Sequence, residues 1–266
     1  INKILLKNDI LAPKLLSQNY KKKYIEVDDF GKSTLFGFLK KKSTNKSTTF
    51  KKIIKLLIKL QLIRQRNIKN FQNKYYKIPL YTKKILLEEA KLFSEWYVKK
   101  KLSKTKQLIF KKKFINIIKN LIKKLRLKNN ILVHRDFHVS NLMMVKKEIG
   151  VIDTQDALIG NKAYDLASLI DDVRFETSNN FKKSLYKYYL DSQKNLKKEY
   201  FKNDFEIISV LRNLKIIGIF TRLAVRDNKK KYLKLIPYTW DLIRLRSKNN
   251  GKFNNLNDLL NSLKID

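Results

Sequence analysis

The chain has no cysteine, only six glycines and only two tryptophans among its 266 residues, and its 23 acidic side chains are outnumbered by 61 lysines and arginines. The absence of cysteine excludes disulfides and thiol catalysis and fits the reducing cytoplasm. No glycine precedes Gly31, so no glycine-rich phosphate-cradling loop lies before that position. No signal-peptide pattern is present, and no uninterrupted apolar run is long enough to span a bilayer. The most apolar late stretch, 207–223, is broken by Arg212, Lys215 and Arg222. A cytoplasmic protein with no membrane partner is expected. The net charge of +38 would attract phosphates of any sequence context. The lysines, however, are spread along the whole chain and accompany frequent asparagine and isoleucine, as an A+T-rich genome favours. They read as solvated helix faces, and nucleic acid is not the expected partner.

What is present is chemistry concentrated in one stretch. The length allows one large or two modest domains, with ample apolar residues for a core. Two short apolar runs, Leu142–Val145 and Ile149–Ile152, flank the polar turn Lys146-Lys147-Glu148, the pattern of a β-hairpin. With its midpoint near Lys147, the hairpin would set Asn141 opposite Asp153 at its open end. Asp136 lies five residues before Asn141. An amide oxygen and a carboxylate aimed at one point suit a hard cation such as Mg²⁺, which completes its shell with water and phosphates. The remaining Asp136 is free to receive a proton from an attacking hydroxyl, the layout that phosphoryl transfer needs. His134 and His138 have the i, i+4 spacing that suits zinc on a helix. A loop is expected here, with no third ligand evident, so His134 reads as a loop-bracing residue. For Arg135, a structural role and a phosphate-facing one both stay open.

These residues carry a resemblance. His134–Asn141, HRDFHVSN, followed by Val151-Ile152-Asp153, resembles the catalytic loop and metal-binding aspartate of the kinase-like phosphotransferases. Tyr164–Ala167, YDLA, is similar to the aminoglycoside/choline phosphotransferase branch. Three further blocks, Asp153–Arg174, Glu88–Val98 and Leu211–Asp227, resemble bacterial cell-wall-recycling sugar kinases, which phosphorylate the anomeric hydroxyl of N-acetylmuramate and N-acetylglucosamine. The resemblance implies an α+β, protein-kinase-like fold with a mostly helical C-terminal lobe and a truncated N-terminal β lobe. It implies ATP and Mg²⁺ as cofactors and a sugar as acceptor, in a monomer. Asp136 would be the catalytic base, Asn141 and Asp153 the metal ligands, and Asp165 a buried helix-start carboxylate that braces the loop by accepting its backbone N–H groups. The carbonyl of Val27 and the amide of Asp29 would hold adenine at the interlobe hinge. Asp156 would touch a second metal or the sugar, or fix the loop; the three stay open. Sugar contacts could come from among Trp96, Asp171, Asp172, Arg174, Arg212 and Asn213, but a helix core or a surface ion pair is the more common fate of each.

The segment Tyr24–Gly31 resembles the last small-lobe strand running into the hinge. A glycine-rich turn and a strand lysine would precede it in such enzymes. The expectation is therefore a fragment, with residues 1–30 a remnant of the N-terminal lobe and hinge, 31–266 the kinase-like C-terminal lobe, and activity impaired. Helical spacing predicts helices over Thr34–Lys42, Lys51–Arg64, Lys83–Lys101 and Phe114–Leu127. A strand, Ile131–Val133, leads into the loop, and later helices cover about 163–174, 181–196, 204–227 and 229–246. Ser43–Thr49 reads as a turn and Asn249–Asn257 as a loop before a last short helix. The rival readings are a kinase for an aminoglycoside, choline or homoserine type acceptor, a pseudokinase, and a basic nucleic-acid-binding protein.

Overall fold

The computed structural model describes residues 1–19, 21–70 and 73–263. It is an α+β structure whose contacts divide the chain into two compact units. The first comprises Ile1–Leu80 and Lys128–Asn195, and the second Tyr81–Leu127 and Leu196–Asp266. The boundary expected after Phe30 lies inside the first unit. Among the described residues no helix is long and apolar enough to cross a membrane.

The first unit opens with helix α1 (Asn2–Lys7), which buries Ile4 and Leu5. Strands β1 (Leu15–Asn19) and β2 (Tyr24–Val27) pair antiparallel, with Leu15, Leu16, Tyr24, Ile25 and Val27 all exposed. The short helix α2 (Leu35–Leu39) is capped by Thr34, whose hydroxyl accepts from the Gly37 N–H at 3.2 Å. Helix α3 (Lys46–Leu62) buries Phe50, Ile53, Ile54, Leu57 and Leu60, one apolar face at helical spacing. It begins inside the stretch expected to be a turn, because Asn45 is an N-cap accepting from Thr48 N–H at 3.0 Å. A small ribbon follows, β3 (Asn67–Lys69) with β4 (Tyr75–Lys77). Strand β5 (Asn129–Val133) leads into the loop at His134. The hairpin β6 (Leu142–Val145) and β7 (Glu148–Val151) comes next, and then β8 (Leu158–Asn161), which returns to pair antiparallel with β5. Helices α7 (Tyr164–Ile170) and α8 (Asn179–Asp191) close the unit.

The second unit is helical. Helix α4 (Lys83–Leu92) continues without a break through a π-helical segment, Phe93–Val98, into α5 (Lys99–Lys101). Helix α6 (Lys104–Lys123) starts ten residues before the predicted Phe114. That first half is lysine-rich with Leu108 and Ile109 exposed, so it shows no core stripe, yet lysine and leucine favour helix intrinsically. Helix α9 (Lys198–Arg226) is the spine, with α10 (Ile236–Ser247) and α11 (Asn254–Asn261) beside it. The expected Asn-rich loop already contains the start of α11. Gly218 lets α9 press onto α4: a Cβ there would lie 2.3 Å from the Leu92 carbonyl carbon and 2.6 Å from Phe93 N. Phe93 also meets Phe114 and Trp240, ring centroids 5.5 and 5.6 Å apart.

Candidate active site

The site residues are placed by strand pairing. Because β5 and β8 run side by side, with Val133 opposite Leu158, everything between them is a closed excursion of about two dozen residues. The excursion is pinned from behind by α7. The Asp165 carboxylate, in that helix's first turn and 1% exposed, accepts from the backbone N–H of His134 at 2.7 Å and of Arg135 at 3.0 Å. Arg135 has a left-handed backbone, φ 76°, so the chain turns sharply at that point and delivers Asp136. His134 is sealed in the interior, and its Nε2 donates to the Ile152 carbonyl at 2.8 Å. Burial lowers the His134 pKa and keeps the ring neutral. One residue thus ties the loop to the residue preceding Asp153.

The hairpin register differs from the expected one. Leu142 pairs with Val151 and Val145 with Glu148, so the turn is Lys146-Lys147 alone and Glu148 belongs to the strand. Asn141 therefore stands opposite Ile152, whose N–H donates to the Asn141 carbonyl at 3.1 Å, and Asp153 is one residue further on. A slip of one residue along a strand would turn a side chain to the opposite face. Asp153 leaves the strand conformation instead, with φ 62°, a region aspartate tolerates better than most residues. Its carboxylate meets Asn141 nonetheless: Asn141 Nδ2 donates to Asp153 Oδ2 at 3.2 Å and to the Asp136 carbonyl at 3.1 Å. Gln155 Nε2 donates to the other Asp153 oxygen at 2.6 Å.

Asp136 is half-buried and Asp153 exposed. Asp156 is exposed as well, and its carbonyl accepts from Arg135 Nη1 at 3.4 Å. Val27 lies exposed at the end of β2, paired with Leu15. Asp29 caps the turn that follows, accepting from Gly31 N–H at 2.7 Å. This turn leads onto the hairpin: Met144 N–H donates to the Ser33 carbonyl at 2.8 Å, and the Phe30 ring packs so closely on Gly150 that a Cβ there would sit 2.6 Å from it. A glycine inside a strand is the sequence signal of such an approach. Thr154 donates its hydroxyl to Asn2 Oδ1 of α1, and Val151 N–H donates to the Leu11 carbonyl at 2.8 Å. The props from α1, Leu11 and Phe30 are tertiary, whereas the Gln155 bond spans only two residues.

The donor set suits a small hard cation. Two ligand oxygens in adjacent positions of a Mg²⁺ octahedron, each about 2.1 Å from the ion, stand about 3 Å apart, and Asn141 and Asp153 are already within hydrogen-bonding distance. The Asn141 amide nitrogen donates to the Asp136 carbonyl and to Asp153, which leaves its oxygen as the atom that could hold a cation. A model of a family described as "Phosphotransferase enzyme family" matches residues 41–199. The chain belongs to the phosphotransferase enzyme family. This phosphotransferase is 36% identical over 175 residues to an N-acetylmuramate/N-acetylglucosamine kinase of Neisseria meningitidis, covering 63% of this chain and 52% of that one. The chain thus spans about half the length of that curated relative. It is 28% identical over 243 residues to a kinase of the same name from Pseudomonas putida, covering 89% of this chain and 68% of that protein. Among solved structures it resembles an ADP-bound aminoglycoside phosphotransferase, with a TM-score of 0.57 at 17% identity over 92% of this chain and 80% of the other. The fold is the protein-kinase-like α+β fold of that family.

Asp165 gives a direct test of this architecture. In Asp165→Asn, one of two charge-assisted acceptors becomes an NH₂ group facing a backbone N–H. Hydrogen bonds to charged groups are worth about 1.5–3 kcal/mol each, so the variant is expected to lose about 2–3 kcal/mol in urea unfolding. Unchanged stability would show that the carboxylate does not hold the loop.

Proposed function

We propose that this phosphotransferase is an ATP- and Mg²⁺-dependent sugar kinase that places the γ-phosphate on the anomeric hydroxyl of N-acetylmuramate or N-acetylglucosamine. The meeting of Asn141 with Asp153 at 3.2 Å, beside a loop anchored on Asp165, is the observation that carries the reading. The two relatives, both N-acetylmuramate/N-acetylglucosamine kinases, support the choice of sugar. In this reading Asn141 and Asp153 hold the metal. Bound Mg²⁺ would neutralise charge that builds on the phosphates. Asp136 orients the acceptor hydroxyl and takes its proton late, as the new P–O bond forms; a carboxylate is too weak a base to ionise that hydroxyl beforehand. Asp165 and His134 keep the loop in place. The backbone carbonyl of Val27 and amide of Asp29 receive adenine, and Asp156 reaches a second metal or the sugar, or fixes the loop.

The test is an acceptor panel with ATP and Mg²⁺: N-acetylmuramate, N-acetylglucosamine, an aminoglycoside, choline and homoserine. Phosphorylation at the anomeric oxygen blocks ring opening, so consumption of ATP should be matched by loss of reducing-sugar reactivity. Turnover confined to choline or to an aminoglycoside would overturn the assignment of substrate. ATP consumption with the reducing end intact would overturn the assignment of position.

A further inference from the structure

The lysines run through the whole chain, but one stretch has no acids to balance them. No acidic residue lies between Glu95 and Asp136, and residues 99–113 alone hold eight lysines. These fifteen residues span α5 and the first half of α6, both in the second unit. Glu95 answers one of the eight, Lys111, at 3.4 Å. Among the lysines sit Leu108 and Ile109, 73% and 55% exposed. No other leucine, isoleucine or valine among the described residues is as exposed as Leu108. The helix makes one face of them. Residues three or four apart are neighbours on a helix surface, and Lys104, Leu108, Lys112, Asn116, Lys119 and Lys123 follow one another at those steps, all exposed. The stripe runs about 28 Å along α6. Ile109 lies beside it, with Lys113 one turn further on. Phe110, Phe114, Ile118 and Leu121 are buried on the opposite face. The core of the unit therefore accounts for the inner face of α6 and leaves the outer aliphatic pair unexplained.

We propose that the outer face of α6 docks on an anionic membrane surface, with Leu108 and Ile109 entering the headgroup layer and the surrounding lysines meeting lipid phosphates. A negatively charged leaflet attracts clusters of about four to eight cations on or beside a helix. A helix lying in the headgroup plane binds through one face and needs no spanning run, so this contact departs from the expected absence of a membrane partner. Lysine suits the position, because its aliphatic stem lies along apolar surface while the ammonium reaches the phosphates. Nucleic acid fits the face less well. Its phosphates would meet the lysines, but its bases stack on exposed aromatic side chains. The aromatic residues between 99 and 124, Phe110 and Phe114, are buried, and the exposed apolar pair is aliphatic.

The experiment sediments the whole chain with vesicles of phosphatidylglycerol and phosphatidylcholine, about 1:3, at roughly physiological salt. A protein of net charge +38 is drawn to any anionic surface, so the variants must separate this face from general basicity. Leu108→Gln with Ile109→Gln keeps every charge and a good helix former at each position; it should weaken vesicle binding about tenfold. Lys104→Gln, Lys112→Gln and Lys113→Gln together should weaken it about 10²-fold. The control removes the same charge from the first unit: Lys183, Lys187 and Lys194, all exposed, changed together to Gln, should alter binding less than about threefold. No binding of the wild type, equal weakening by the two lysine triples, or wild-type binding by the Leu108/Ile109 variant overturns the proposal. Thermal melting checks that each variant is folded. Should the Leu108/Ile109 variant not fold, the lysine triple against its control decides.

Discussion

Replacing Asp153 by asparagine should lower kcat by about 10³-fold or more and flatten the dependence of rate on Mg²⁺. Asn is the informative substitution because the backbone there is left-handed, φ 62°, and asparagine accepts that conformation with little strain. Its amide oxygen can still accept from Asn141 Nδ2, and its NH₂ can donate to Gln155 once that exposed amide turns over, so the hairpin mouth keeps its shape. What disappears is the formal charge. A ligand charge of this kind contributes several kcal/mol of transition-state stabilisation, and each 1.36 kcal/mol is tenfold in rate. The check is a Mg²⁺ titration of the initial rate for both proteins, with circular dichroism to show that the variant is folded. A variant with the wild-type metal dependence would remove Asp153 from the metal site. Alanine would be a poorer probe, because it adds backbone strain of roughly 1 kcal/mol to the loss of charge.

The second large effect is expected at Asp136. Asp136→Ala should cut kcat by about 10²–10⁴-fold, the range for a positioned general base, with KM for ATP little changed. The backbone of Asp136 is itself part of the loop: its carbonyl accepts from Asn141 Nδ2 at 3.1 Å and from His138 N–H at 3.0 Å. Truncating the side chain leaves both bonds in place. Near-normal turnover in a folded Asp136→Ala protein would reject the carboxylate as proton acceptor. A variant whose stability fell alongside its activity would instead indicate a packing role.

Much of this site is visible in the amino-acid sequence because it is local. The hairpin is written in alternating apolar runs, and the loop residues from His134 to Asn141 lie within a single turn-and-strand unit. The error in register came from the turn. Lys146-Lys147-Glu148 reads as three polar residues, and nothing local tells a three-residue turn from the two-residue one that forms with Lys146 at φ 56°. The left-handed Asp153 then restores a meeting that the true register alone would have lost. Helix ends were missed where the signal was a cap instead of an apolar stripe, as at Asn45, or where lysines carried the helix without a buried face, as in the first half of α6. Strands β1, β3, β4 and β8 escaped for another reason. Each is three to five residues long, and β1 and β4 have exposed side chains at nearly every position, so no alternation was available to read. The bond from Thr154 to Asn2 spans 152 positions, a separation at which sequence pattern carries no information.

The pair of hydrogen bonds that Asp165 accepts from the His134 and Arg135 amides bridges about thirty residues of chain. Those two amides can be protected only when α7 has docked behind β5, and undocking α7 releases the loop. Hydrogen exchange at His134 and Arg135 is therefore tied to cooperative opening of the whole first unit, in place of local fraying. Thermal inactivation and unfolding of that unit should share one midpoint, with no intermediate that is loosened yet still competent.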